Sequence, residues 1–139
     1  MTREVLARKL ARMGKLVAAL RIHAGKSAGQ VADDPYEIER LLELLVQIGV
    51  DILSHQLAAR GVVPESYRSV FLEAGEHGLL PPELATRLAD AAGLRNVLVH
   101  MYDTIDYEIV AASIDRALVD FGAFIEAYRH VLEAEGEDE

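Results

Sequence analysis

One ten-residue stretch gathers the side chains best suited to chemistry: Gly93-Leu-Arg95-Asn96-Val-Leu-Val-His100-Met-Tyr102. On a helix turning about 100° per residue, Asn96 and His100 share one face, and Arg95 and Tyr102 share a neighbouring one. A histidine exchanges protons near neutrality, and an arginine offers a phosphate a permanently charged, bidentate fork. An asparagine can orient the imidazole or donate to a non-bridging oxygen, and a phenol can donate a hydrogen bond or act as a nucleophile. These are the parts for proton transfer at a phosphate group. The plain alternative keeps Arg95 and Asn96 solvated, His100 at a helix end and Tyr102 packed against the body of the protein.

Other constellations are weaker. Gly25-Lys26-Ser27 has the ending of a phosphate-binding loop, but Leu20 stands where the first glycine belongs and no strand pattern precedes it. Asp51 and His55 are spaced to share a metal on one helix. An intrahelical ion pair is the simpler reading, because no third ligand lies nearby. His23, His77 and His130 sit near expected helix ends, where surface or capping roles are the default. With no cysteine, the chain has no disulfide, no thiolate nucleophile and no Cys-ligated zinc.

The elements that must position the stretch are helical. A chain of 139 residues predicts one domain, here 1–132, followed by an acidic, fraying tail at 133–139. Apolar residues at three- and four-residue intervals predict a first helix over about 2–24, broken by Gly25 to Gly29. Asp34 as cap with Pro35 in the first turn predicts a second helix, which runs to about Arg60 and stops at Gly61. A third is expected from Pro64 to His77, and a fourth opens at Pro81-Pro82 and carries the Arg95–His100 segment. After a turn over Tyr102–Asp106, a fifth helix to Leu132 should bury Ile109, Ile114, Ala117, Phe121, Phe124 and Tyr128. Nothing alternates as a strand does. The expectation is an all-α, antiparallel bundle of about five helices.

Charge limits the partners. The net charge is −9, yet residues 1–30 hold seven Lys/Arg against one acid, and the rest of the chain holds seven against 22. A polyanion therefore has to approach near the first helix or at one focused site. No run of 18 residues is free of charge, so no membrane span is expected, and the N-terminus lacks the apolar stretch of a signal peptide. A cytoplasmic protein is the expectation.

The order Arg95-Asn96-x-x-x-His100-x-Tyr102 resembles the motif of the HEPN superfamily of all-helical ribonucleases, an arginine followed a few residues later by a histidine. Within that superfamily it resembles the HepT-like toxins. The resemblance extends to Glu39-Arg40-x-Leu42, Asp51, Ser66-Tyr67-Arg68-x-Val70-Phe71 and Gly78-Leu-Leu-Pro81, and spans roughly residues 35–110. Met101, between His100 and Tyr102, departs from the acidic residue often found there.

The resemblance implies a toxin encoded beside a minimal nucleotidyltransferase antitoxin of the MntA-like type. Arg95 and His100 would form the catalytic pair, Asn96 their polar companion, and Tyr102 the tyrosine that the antitoxin modifies with AMP. RNA carries its own nucleophile, so cleavage needs only proton transfer and charge stabilisation, with no cofactor and no metal. One histidine supplies one proton-transfer group where two are needed. A homodimer with a shared cleft would bring the second, using apolar residues left over on the first, fourth and fifth helices. The rivals are a non-catalytic helical module that binds a nucleotide or a protein partner, and a metal-dependent hydrolase built on Asp51 and His55.

Overall fold

In the computed structural model, which describes residues 1–138 and side chains through Glu133, the chain folds into six α-helices and one 3₁₀ turn. They are α1 (Arg3–Arg21), α2 (Ala28–Asp33), α3 (Tyr36–Ala59), α4 (Tyr67–Glu76), α5 (Pro82–His100), the turn Tyr102–Thr104, and α6 (Tyr107–Asp138). There is no strand among the described residues. The acidic end expected to fray as a tail lies, for its side chains beyond Glu133, outside the described residues.

Local chemistry sets the boundaries. Thr2 caps α1 through the Val5 amide, and Ser66 caps α4 in a reciprocal box with Ser69. Proline opens α5 in its first turn, where a missing N–H costs nothing. Gly61 and Gly78 follow α3 and α4 with φ of 77° and 72°, the left-handed geometry that ends a helix.

α3 is the central post, packed against α1, α4, α5 and α6. Its row Leu41, Leu45, Ile52 and Leu53 is buried, as are Phe71 from α4 and Phe121, Phe124 and Tyr128 from α6. Each such side chain contributes about 1.5–3 kcal/mol through burial. It is also the one helix, among the described residues, long and apolar enough to cross a membrane, and half of its most apolar window is buried inside the bundle. Glycine at position 49 lets it lie close to α4: a Cβ there would sit 3.2 Å from Phe71 Cζ.

α4 and α5 run antiparallel, because Gly75 meets Ala85, Arg68 pairs with Asp90 at 3.3 Å, and Tyr67 meets Arg95. They approach closely at Gly75, where a Cβ would lie 2.7 Å from that of Ala85.

Several expectations need correction. The Gly-rich stretch after α1 contains a sixth helix, α2, whose capping box pairs Ser27 with Gln30. Asp34 does not cap α3; Pro35 holds the cap position with no side-chain hydrogen bond. Val110 is buried at the start of α6, and Ile109 is 53% exposed. His23 is buried rather than at the surface, with Nδ1 2.8 Å from Lys26 Nζ and Nε2 3.4 Å from Glu37. The intrahelical reading of Asp51 holds: its carboxylate faces His55 at 4.0 Å and also pairs with Lys9.

Candidate active site

Arg95 is held from two sides. Its guanidinium carbon lies 4.6 Å above the Tyr67 ring, and Nη1 donates to Asn96 Oδ1 at 3.3 Å. A cation over an aromatic face gains about 0.5–2 kcal/mol, and the antiparallel α4–α5 pairing is what brings the ring beneath it. His100 is the last residue of α5 and is exposed. One turn apart on the same helix, Asn96 is half-buried and its oxygen is turned to Arg95. The expected orienting bond from Asn96 to His100 is absent among the described residues.

Tyr102 does not continue the helical face of Arg95. Met101 breaks α5 with φ −126° and ψ 46°, and Tyr102 enters the 3₁₀ turn. Its phenol donates to Glu39 Oε2 on α3 at 3.2 Å, while the residue remains 49% exposed. The α5–α6 connection is thereby tied back to the central helix.

Glu39, of the Glu39-Arg40-x-Leu42 stretch, joins the site through this bond. It is 5% exposed, heading the buried row Leu42, Val46 and Val50. Burial pushes its pKa above the usual glutamate range; the Tyr102 phenol pulls it back, Glu43 raises it, and the Tyr107 phenol lowers it. Burial first, then the Glu39 charge, raises the phenol pKa of Tyr102 and of Tyr107. Glu39 Oε1 and Arg95 Nε are the two buried side-chain polar atoms without a hydrogen-bond partner among the described residues. Such atoms cost about 1–3 kcal/mol each and concentrate where function requires them. Both belong to this site.

Two hollows flank it. A cleft of about 790 Å³ between α1 and α3 is lined by Arg8, Lys9, Arg12, Arg40 and Tyr67. A cavity of about 370 Å³ between α5 and α6 is lined by Leu94, Ile109 and Phe121 among others. No three His, Asp or Glu side chains come together as a metal-ligand group among the described residues.

An all-helical bundle with an arginine and a histidine on the last turns of one helix is the arrangement of the HEPN class. Residues 16–128 match the model of the ribonuclease HepT-like family, and the chain belongs to that family, one of RNA-cleaving enzymes. It is 39% identical over 104 residues to the tRNA nuclease HepT of Aphanizomenon flos-aquae, covering 71% of this chain and 70% of that one. It is 28% identical over 92 residues to the mRNA nuclease HepT of Shewanella oneidensis, covering 66% and 67%. The fold is similar to that of the tri-AMPylated Shewanella oneidensis HEPN toxin in complex with MNT antitoxin. That similarity has a TM-score of 0.81 at 23% identity, over 94% of this chain and 99% of the other.

Proposed function

We propose that the chain is the toxin of a HepT/MntA-type pair, a metal-independent endoribonuclease in which Arg95 and His100 act on the scissile phosphate. The observation that carries this reading is Arg95 fixed on Tyr67 beside Asn96, with an exposed histidine five residues further along the same helix. Arg95 holds the non-bridging oxygens. His100 takes the proton from the 2′-hydroxyl, the 2′-oxygen bonds to phosphorus, and the bond from phosphorus to the 5′-oxygen breaks. The products are a 2′,3′-cyclic phosphate and a 5′-hydroxyl end. The histidine of a second copy protonates the leaving oxygen.

A homodimer is supported by the apolar side chains left exposed beside the motif: Val99 at 37%, Met101 at 54% and Ile109 at 53%. The catalytic unit is one domain over 1–132, with 133–139 as an acidic extension.

Control falls to the cognate nucleotidyltransferase antitoxin, which transfers AMP to Tyr102. The exposed phenol is accessible to a second enzyme, and an added phosphate brings bulk and negative charge to the motif. The motif's helix ends at His100, so Tyr102 reaches the site from the following turn and not from the helical face of Arg95.

Expression of wild type against His100→Ala, with growth and RNA ends recorded, tests the assignment. Purified wild type should cleave RNA in EDTA and leave cyclic phosphate ends, and His100→Ala or Arg95→Ala should lose cleavage by about 10²–10⁴-fold with helical content intact. Undiminished cleavage by His100→Ala would refute it. Co-expression with the nucleotidyltransferase should add whole AMP masses to the Tyr102 peptide, and Tyr102→Phe should lose both the mass and the protection.

A further inference from the structure

The catalytic pair explains how a phosphate is attacked, but not how an acidic protein holds an RNA. We propose that the cleft between α1 and α3 is the track for the RNA backbone, with Arg8, Arg12 and Arg40 as its phosphate contacts and Tyr67 as the junction to Arg95. This rests on the ribonuclease reading for the identity of the polyanion.

Four cations line this cleft against a single acid, Asp51. Asp51 is already committed, since it pairs with Lys9 and faces His55. Arg40 has only a long contact of 3.9 Å to Glu43. Arg8 and Arg12 are exposed and have no ion-pair partner among the described residues. Free guanidiniums on a protein of net charge −9 mark a place built for negative charge. Past residue 30 the chain holds 22 acids against seven bases, so a cluster of four cations facing one committed acid is a local excess of positive charge on an acidic protein.

Spacing fits a strand better than a single anion. Arg8 and Arg12 are one helical turn apart, about 6 Å along the axis, comparable to the step between phosphates of an extended single strand. Arg40 adds a guanidinium from α3, so cations come from both helices that wall the cleft. Tyr67 lines the same cleft, and its ring carries Arg95 at 4.6 Å. A strand seated along the arginines is thereby led to the guanidinium that holds the scissile phosphate. Aromatic side chains at such junctions also offer a stacking face to a base.

The test uses the full chain and a 2′-O-methyl single-stranded RNA oligonucleotide, which has no attacking hydroxyl and reports binding alone. Fluorescence anisotropy across a potassium chloride series compares wild type with Arg8→Ala/Arg12→Ala, with circular dichroism confirming that the exposed substitutions leave the fold unchanged. The double variant should bind about tenfold or more weakly, and its log–log salt slope should be shallower by about 1.4, two lost phosphate contacts at about 0.7 each. On cleavable substrates its KM for long RNA should rise, while turnover of a dinucleotide too short to reach the arginines is retained. Unchanged affinity and slope would overturn the track while leaving the Arg95/His100 assignment standing. Unchanged RNA binding combined with lost capture of the purified antitoxin would make the cleft a protein-docking surface and equally overturn it. If wild type binds RNA through these arginines but cleaves none, the track survives and the ribonuclease reading of the motif fails.

Discussion

The two hollows beside the motif differ in kind. The one between α1 and α3 is lined by four cations against one acid, and the one between α5 and α6 sets Leu94, Ile109 and Phe121 beside two arginines and two aspartates whose charges balance. One carries an excess of positive charge suited to a polyanion, the other is neutral in sum and more apolar. On the proposed reading, a small bundle serves two partners at once by giving each a separate seam. Salt separates the seams: RNA binding should weaken steeply as ionic strength rises, while an apolar dimer contact should hold or tighten.

The largest expected effect lies at the seam between α5 and α6. Ile109→Asp should weaken the proposed dimer by about a hundredfold or more, because it sets a charge on an exposed apolar position beside Leu94 and Ile105. Sedimentation at micromolar concentration would then show monomer, and cleavage should fall with it while RNA binding stays. A dimer that survives Ile109→Asp would place the two-fold contact elsewhere.

Smaller effects come from the packing that joins the seams. Gly75→Ala forces α4 and α5 apart where the introduced Cβ would meet Ala85, at a cost of about 1–3 kcal/mol. It should lower the melting temperature and loosen Tyr67 from Arg95, so turnover should fall with fold retained. The smallest effect is at Glu39. Its folded pKa lies above the ordinary glutamate value, so the folded chain binds that proton more tightly than the unfolded chain does. Stability should therefore decline as pH rises from the ordinary glutamate range through the raised value, and then level off. Glu39→Gln should remove that slope in thermal melts recorded across pH.

Much of this was legible in the residues because helix periodicity and turn chemistry agree. Leu10, Met13, Val17 and Leu20 keep their spacing and are all buried, and glycines 61 and 78 end their helices as read. Where local signals compete, the sequence misleads. Asp34-Pro35 reads as a cap, but Asp34 adopts φ −149°, ψ 78° and closes α2 instead. A six-residue helix is too short to show a period, so α2 was visible only through Ser27 and Gln30. Ile109 and Val110 are both apolar neighbours at a helix start, and tertiary packing selects Val110.

The candidate site was legible by residue type and not by wiring. Arg95, Asn96, His100 and Tyr102 stand out by spacing, but the partner of Arg95 lies on α4 and the partner of Tyr102 on α3. A carboxylate buried on a helix leaves one local trace: Glu39 sits three, seven and eleven residues ahead of Leu42, Val46 and Val50, in an otherwise apolar row.

The bond from Tyr102 to Glu39 has a thermal consequence. A phenol oxygen carrying a nucleotide has no proton left to donate, so modification would leave a buried carboxylate, which already has one unpartnered oxygen, without its Tyr102 donor. Under the proposed modification, the chemical state of Tyr102 would be written into the melting behaviour of the chain. A silenced population would then be readable by heat alone, as a fraction that unfolds earlier than the rest.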